Sequence, residues 1–182
     1  MNAIDTRTIK RARMTEALAD IVLAEGLDAL SLRPAAARLG TSDRMLLYYY
    51  GTKAELMNDV LGCLAERFST FLASTTNNSR IPPQNMIGHT ANAMMTAKGR
   101  PFLQLWLEIA ARAGRGDPAF QDIAVTIGEF WNDWIVRSVH FPAGVTPRNA
   151  AAMMLATVNG ITLLDLSTPA VAEAARTRVQ AA

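Results

Sequence analysis

The chain has 182 residues, half of them hydrophobic and 19% charged, with 18 lysines and arginines against 16 aspartates and glutamates. That apolar fraction excludes intrinsic disorder and requires a buried core, in one domain or in a small domain joined to a medium one. A net charge of +2 does not mark a strongly basic nucleic-acid binder, so any DNA contact must come from local placement of charge.

The start, Met1-Asn2-Ala3-Ile4-Asp5-Thr6-Arg7, carries no apolar stretch behind its charges and is not read as a secretory leader. Arg7, Lys10, Arg11 and Arg13 follow with no acid among them. They read either as an arm on the DNA backbone or minor groove, or as a solvated helix start. Met14, Ala17, Leu18, Ile21 and Val22 then share one helical face, and Gly26 reads as the stop. Ser31 is the expected N-cap of a short second helix through Leu39, with Pro34 in its first turn and Gly40 closing it.

Thr41-Ser42 opens a third helix, Asp43–Tyr49. A longer fourth begins near Thr52, with Leu56, Val60, Leu61, Leu64, Phe68 and Phe71 on one side, and runs out in the polar stretch Ser74–Ser79. Cys63, the single cysteine, excludes an intramolecular disulfide and a multi-cysteine zinc site and is expected as a small buried hydrophobe. Pro82-Pro83 starts a fifth helix to about Ala97. The sixth spans about Phe102–Ala113, the seventh Ala119–His140, the eighth Pro147–Leu166 and the ninth Pro169–Gln180. No apolar run reaches the ~18 residues of a membrane span. The longest, Ala150–Leu166, is interrupted by Thr157, Asn159, Gly160 and Asp165. The expectation is an all-α chain of about nine helices without a sheet.

Two short helices joined by a Gly-containing turn, Ser31–Leu39 and Ser42–Tyr50, have the size and punctuation of a helix-turn-helix. Ala35, Ala36 and Ala37 allow close approach, and Leu39, Leu46 and Leu47 are available to lock the pair. The second helix offers Ser42, Asp43, Arg44 and Met45 at its N-terminal end, where this motif reads base edges. Arginine can pair with guanine bidentately and methionine can touch a thymine methyl. Thr41, Ser42, Tyr48 or Tyr49, and Lys53 can hold phosphates.

With the runs Arg13–Gly26, Leu30–Arg33, Ala36–Ser42 and Leu46–Leu56, the N-terminal third resembles the DNA-binding domain of the TetR (tetracycline repressor) family. The resemblance covers about residues 11–61 without gaps. It implies a helix-turn-helix domain over residues 1–52 and a helical ligand-binding and dimerisation domain over 53–182. It further implies DNA contacts at Arg33, Thr41, Ser42, Arg44, Met45, Tyr48, Tyr49 and Lys53. Three departures stand out: Leu47 where the family usually has tyrosine, Tyr50 where it has a core phenylalanine, and Pro34 inside the second helix. The Tyr50 hydroxyl therefore needs a partner.

The rest resembles the family in outline. Ala150, Ala151, Ala152, Ala156 and Gly160 would let the penultimate helix build a homodimer that meets a near-palindromic operator on double-stranded DNA. A small hydrophobic effector is implied, with Phe68, Met86, His89, Asn92, Met95, Phe102, Trp106, Trp131 and Trp134 as candidate contacts or, on the plainer reading, ordinary core. His89 and Asn92, three residues apart, are the best polar candidates, and His140 is expected at the surface.

The functional expectation is a cytoplasmic transcriptional regulator, read as a repressor released by its effector, with no cofactor, metal or membrane partner. The alternative is a ligand-independent DNA-binding dimer whose larger domain only dimerises or contacts protein. An enzyme is not expected, because no phosphate-binding loop, nucleophile elbow or zinc-binding His-Glu-x-x-His is present.

Overall fold

The computed structural model describes residues 3–76 and 79–180, so Asn77-Asn78 of the polar stretch and Met1-Asn2 lie outside the described residues. Nine α-helices occur among those described: α1 (Ala3–Glu25), α2 (Leu32–Arg38), α3 (Asp43–Tyr50), α4 (Lys53–Thr75), α5 (Pro83–Met95), α6 (Arg100–Gly114), α7 (Pro118–Ser138), α8 (Pro147–Ser167) and α9 (Pro169–Gln180). The chain forms two compact units, Met1–Ser69 and Thr70–Ala182. The division falls inside α4, because the first turns of that helix carry apolar residues of the first unit.

In the first unit, Gly26 ends α1 at a φ of 86°, a conformation that favours glycine, and its N–H donates to the Val22 carbonyl at 2.9 Å. A short 3-10 turn, Leu27–Leu30, follows and buries Leu27, Ala29 and Leu30. The sequence reading passed over it, since four residues are too few to show a helical period. Ser31 occupies the N-cap position of α2, but its side chain makes no capping hydrogen bond. Leu18, Val22, Leu30, Ala35, Leu46, Tyr50, Leu56 and Val60 form the buried core.

Polar bonds tie α1 to α4 across that core. Arg11 Nε donates to Asp59 at 2.6 Å, and Arg67 pairs with Asp20 at 2.6 Å and with Glu16. Partial burial alone would lower the Arg67 pKa, but the hydrogen bonds it donates to Glu16 and Asp20 outweigh it and hold the guanidinium above its ordinary value. The hydrogen bond from Arg67 holds the Glu16 carboxyl below the usual carboxylate range. Cys63 is half-buried rather than core, and burial pushes its thiol up.

In the second unit α8 packs on α5, α7 and α9, and α6 packs on α7. Thr96 shapes the α5–α6 turn by accepting the Gly99 N–H at 3.1 Å, and a Cβ at Gly99 would lie 2.2 Å from the Ala93 carbonyl oxygen. One isolated parallel bridge joins Ile81 to Val139, with Ile81 N donating to Ser138 O at 2.8 Å; it does not grow into a sheet. α8 corrects one expectation. Its length and composition suffice for a membrane span, because the polar residues within it do not outweigh its aliphatic ones. Only 22% of that apolar window is buried.

Candidate nucleic-acid interface

Local chemistry sets the start of α3. The Ser42 side chain accepts the Met45 N–H at 3.3 Å, an N-cap whose own backbone is extended. Gly40 and Thr41 return the chain from α2, with Thr41 N donating to Ala36 O at 2.9 Å. Ala35 and Ala36 are buried, and their small side chains let α3 lie close to α2.

The helical period then sorts α3 into two faces. Leu46, Tyr49 and Tyr50 turn inward. Ser42, Asp43, Arg44, Met45, Leu47 and Tyr48 turn outward, with Met45 and Leu47 each 39% exposed and Tyr48 56% exposed. Leu47 therefore does not lock the helix pair as its hydropathy suggested; it stands on the outer face, three residues from Arg44. Tyr49 differs as well, being buried with its ring edge-on to Tyr48 at 5.2 Å between centroids. Arg33 on α2 and Lys53 at the start of α4 are exposed, and Thr41 is partly so.

Tyr50 is fully buried, and its hydroxyl finds two partners: Thr15 Oγ1 at 2.9 Å and the Arg11 carbonyl, to which it donates, at 3.2 Å. Burial pushes the phenol pKa up, partly offset by the Thr15 hydrogen bond, so the ring stays neutral at physiological pH. Lys53 sits within a capping box, directly after its N-cap residue: Thr52 N donates to Glu55 at 2.9 Å and Glu55 N donates to Thr52 Oγ1 at 3.1 Å. The Thr52-x-x-Glu55 spacing carried that signal in the sequence.

Of the N-terminal cations, Arg11 is engaged by Asp59 and lies 5.2 Å from the Tyr50 ring centroid. Arg7 binds the Tyr48 carbonyl, whereas Lys10 and Arg13 are exposed. The resulting surface combines cations at Arg33, Arg44 and Lys53, hydroxyls at Ser42 and Tyr48, and apolar atoms at Met45 and Leu47, which suits phosphate contact plus base-edge and thymine-methyl contact.

Similar architectures are known. A protein described as a TetR-family transcriptional regulator from Rhodococcus sp. superposes with a TM-score of 0.72 at 17% identity, covering 94% of each chain. A transcriptional regulator from Saccharomonospora viridis, solved in complex with choline, gives 0.68 at 14% identity over 94% of each chain. A TetR transcription regulator from Haloarcula marismortui gives 0.65 at 17%, covering 94% of this chain and 95% of that one. This is the TetR fold. No protein-family model and no curated protein matches the sequence.

The residues named as effector contacts fall at several places in this TetR fold, all but Phe68 in the second unit. Phe102 and Trp106, one turn apart on α6, meet Phe71 and Trp131 respectively: the phenylalanine rings stack at 6.2 Å and the indoles tilt together at 4.8 Å. Met86 is fully buried and accepts a hydrogen bond from the Thr90 hydroxyl at its sulfur, 3.2 Å away. His89 is half-buried with its Nε2 enclosed and unpartnered. Met95 is half-buried, and Asn92 is exposed, so these two and His89 do not share one environment despite their helical spacing. Trp134 lines a separate polar cleft of about 120 Å³ with Thr76, Arg80 and Arg137. Phe68 is buried in the first unit. His140 is exposed. Among the described residues no group of three or more His, Cys, Asp or Glu side chains gathers to hold a metal.

Proposed function

We propose that the chain is a TetR-family transcriptional regulator that binds double-stranded DNA as a homodimer, acting in the cytoplasm as a repressor released by a small hydrophobic effector. The observation that carries this reading is the outer face of α3, where a capped helix start exposes Arg44 and Met45, with Arg33 on α2 and Lys53 on α4 exposed as well. Residues 1–52 serve as the DNA module and 53–182 as the effector and dimerisation module. Arg44 and Met45 read bases, while Arg33, Thr41, Ser42, Tyr48 and Lys53 hold phosphates. Tyr49, being buried, contributes chiefly by supporting Tyr48.

Effector binding is supported by the enclosed, unpartnered His89 Nε2, since a buried polar atom without a partner is costly and a ligand group would satisfy it. The choline bound to the Saccharomonospora protein is a small organic molecule on the same fold. An effector acts here by preferring a dimer whose two α3 helices are wrongly spaced for successive major grooves, and it shifts that equilibrium by its differential affinity alone. The Trp106–Trp131 contact favours a second reading, because the two rings fill the space between them: a DNA-binding dimer that takes no effector.

The deciding experiment is selection of genomic fragments by the purified protein at about 150 mM salt, where non-specific binding is weak. Recovery of a near-palindrome that Arg44→Ala no longer enriches supports the regulator. Recovery of no shared sequence overturns it. Tryptophan fluorescence during a compound screen separates the two readings, since a ligand-free regulator gives no saturable change.

A further inference from the structure

The small cleft beside Trp134 gathers hydrogen-bond donors that the chain leaves unspent. It measures about 120 Å³, lies wholly in the second unit, and its lining includes Thr76, Ser79, Arg80, Trp134, Arg137 and Ser138. Backbone pairing builds it. Ile81 N donates to the Ser138 carbonyl at 2.8 Å and His140 N to the Ile81 carbonyl at 3.1 Å, so the segment before α5 is laid along the end of α7. That pairing brings Arg80 and Arg137, 57 positions apart in the chain, to one cleft.

Carbonyls at a helix C-terminus repel an anion, but here they are occupied. The Arg137 carbonyl accepts Arg80 Nε at 2.8 Å and the Ser138 carbonyl accepts Ile81 N. At the end of α4 the Ala73 carbonyl accepts the Thr76 hydroxyl at 3.2 Å. Donors remain. Among the described residues no carboxylate pairs with Arg80 or Arg137, the Arg137 guanidinium makes no hydrogen bond, and the hydroxyls of Ser79 and Ser138 are unengaged. Arginine and the tryptophan indole can only donate, so the cleft matches a ligand that only accepts. The sequence carries the same imbalance: neither 67–107 nor 134–164, the stretches that meet here, contains an aspartate or glutamate. Two guanidiniums brought to one cleft repel each other, and an anion between them removes that cost. The volume equals that of about four waters, room for one tetrahedral oxyanion. It falls well short of the ~300 Å³ at which pockets for drug-sized ligands begin.

We propose that this cleft binds a single tetrahedral oxyanion, either free phosphate or the phosphate end of a small phosphomonoester, between Arg80 and Arg137. Of the residues read as effector contacts only Trp134 borders it, so the site goes beyond the effector reading and stands if that reading fails.

Calorimetric titration of the full chain with inorganic phosphate and with glycerol 3-phosphate, each against chloride at equal ionic strength, tests it. Saturable binding of one anion per chain is expected, and the tighter of the two identifies the source. Arg137→Gln removes a side chain that makes no bond within the chain. It should weaken binding at least about tenfold without moving the thermal midpoint of the anion-free protein. Arg115→Gln, at another exposed arginine, should leave the affinity unchanged. Saturating anion should raise the midpoint of the parent more than that of Arg137→Gln.

Heat that never saturates, or that chloride reproduces, overturns the site, and so does binding that Arg137→Gln leaves intact. Loss of non-specific DNA affinity in Arg137→Gln, with no anion binding by the parent, would give these arginines to the DNA backbone instead. None of these outcomes bears on the assignment of Arg44 and Met45 to base reading.

Discussion

Arg7 Nη2 donates to the Tyr48 carbonyl oxygen at 2.6 Å, and its guanidinium carbon lies 4.8 Å from the centroid of the Tyr48 ring. Tyr48 stands in the last turn of α3, where carbonyls lack helical partners, so a cation from the beginning of α1 finishes the end of the recognition helix. Arg7→Ala should therefore quicken hydrogen exchange in the last turn of α3 and weaken DNA binding by up to about 1 kcal/mol. Exchange rates unchanged from the parent protein would reduce Arg7 to a solvated residue.

Arg44 and Lys53 should fail in different ways. Arg44→Ala should cost about 1–3 kcal/mol on the selected site and relax its sequence preference. Lys53→Ala should weaken all DNA alike and make the salt dependence shallower by about one unit of slope. Anisotropy titrations across salt on cognate and random duplexes check both. Equal loss on the two duplexes would remove Arg44 from base reading.

The Tyr50 hydroxyl is a stability prediction. Tyr50→Phe keeps the buried ring and removes its bonds to Thr15 and the Arg11 carbonyl, and the Thr15 hydroxyl, 3.0 Å from that carbonyl, can then donate to it instead. The expected loss is about 1 kcal/mol in urea unfolding, since one acceptor stays satisfied. A gain in stability would show that the hydroxyl was only tolerated.

The Arg67 cluster predicts a pH dependence. Its hydrogen bond lowers the Glu16 pKa in the folded chain, so the associated stability is present above the ordinary carboxylate range and is lost as pH falls through the depressed folded value. Arg67→Gln should thus be less stable than the parent at pH 7, and the gap should narrow as the solution is acidified below about pH 4. Thermal midpoints from pH 3 to pH 7 report this, and a gap constant across that range would discard the assignment.

Sequence by itself determined the elements of this protein. Glycine at 26, serine at 42 and prolines at 118, 147 and 169 act through φ preferences and caps that depend on neighbours a few residues away, so helix starts and stops were legible. The Ser42–Tyr50 helix after a Gly-containing turn was equally visible, and with it the N-terminal end that carries Arg44 and Met45.

Only the tertiary structure decided which residues of these elements are available. Hydropathy placed Leu47 inside and left Tyr49 as a contact, yet the angle at which α3 meets its neighbours turns Leu47 out and Tyr49 in. The basic start read either as an arm on DNA or as a solvated helix start, but Arg11 finds Asp59 forty-eight positions along the chain and Arg7 finds Tyr48. The apolar length of α8 was plain in its composition, whereas the exposure of Met153, Gly160 and Leu163 depends on which of its faces α5, α7 and α9 cover. Caps and periods are settled by local sterics and hydrogen bonds. Exposure and ion pairing are settled by contacts between segments far apart in the chain, and these form only once the helices pack.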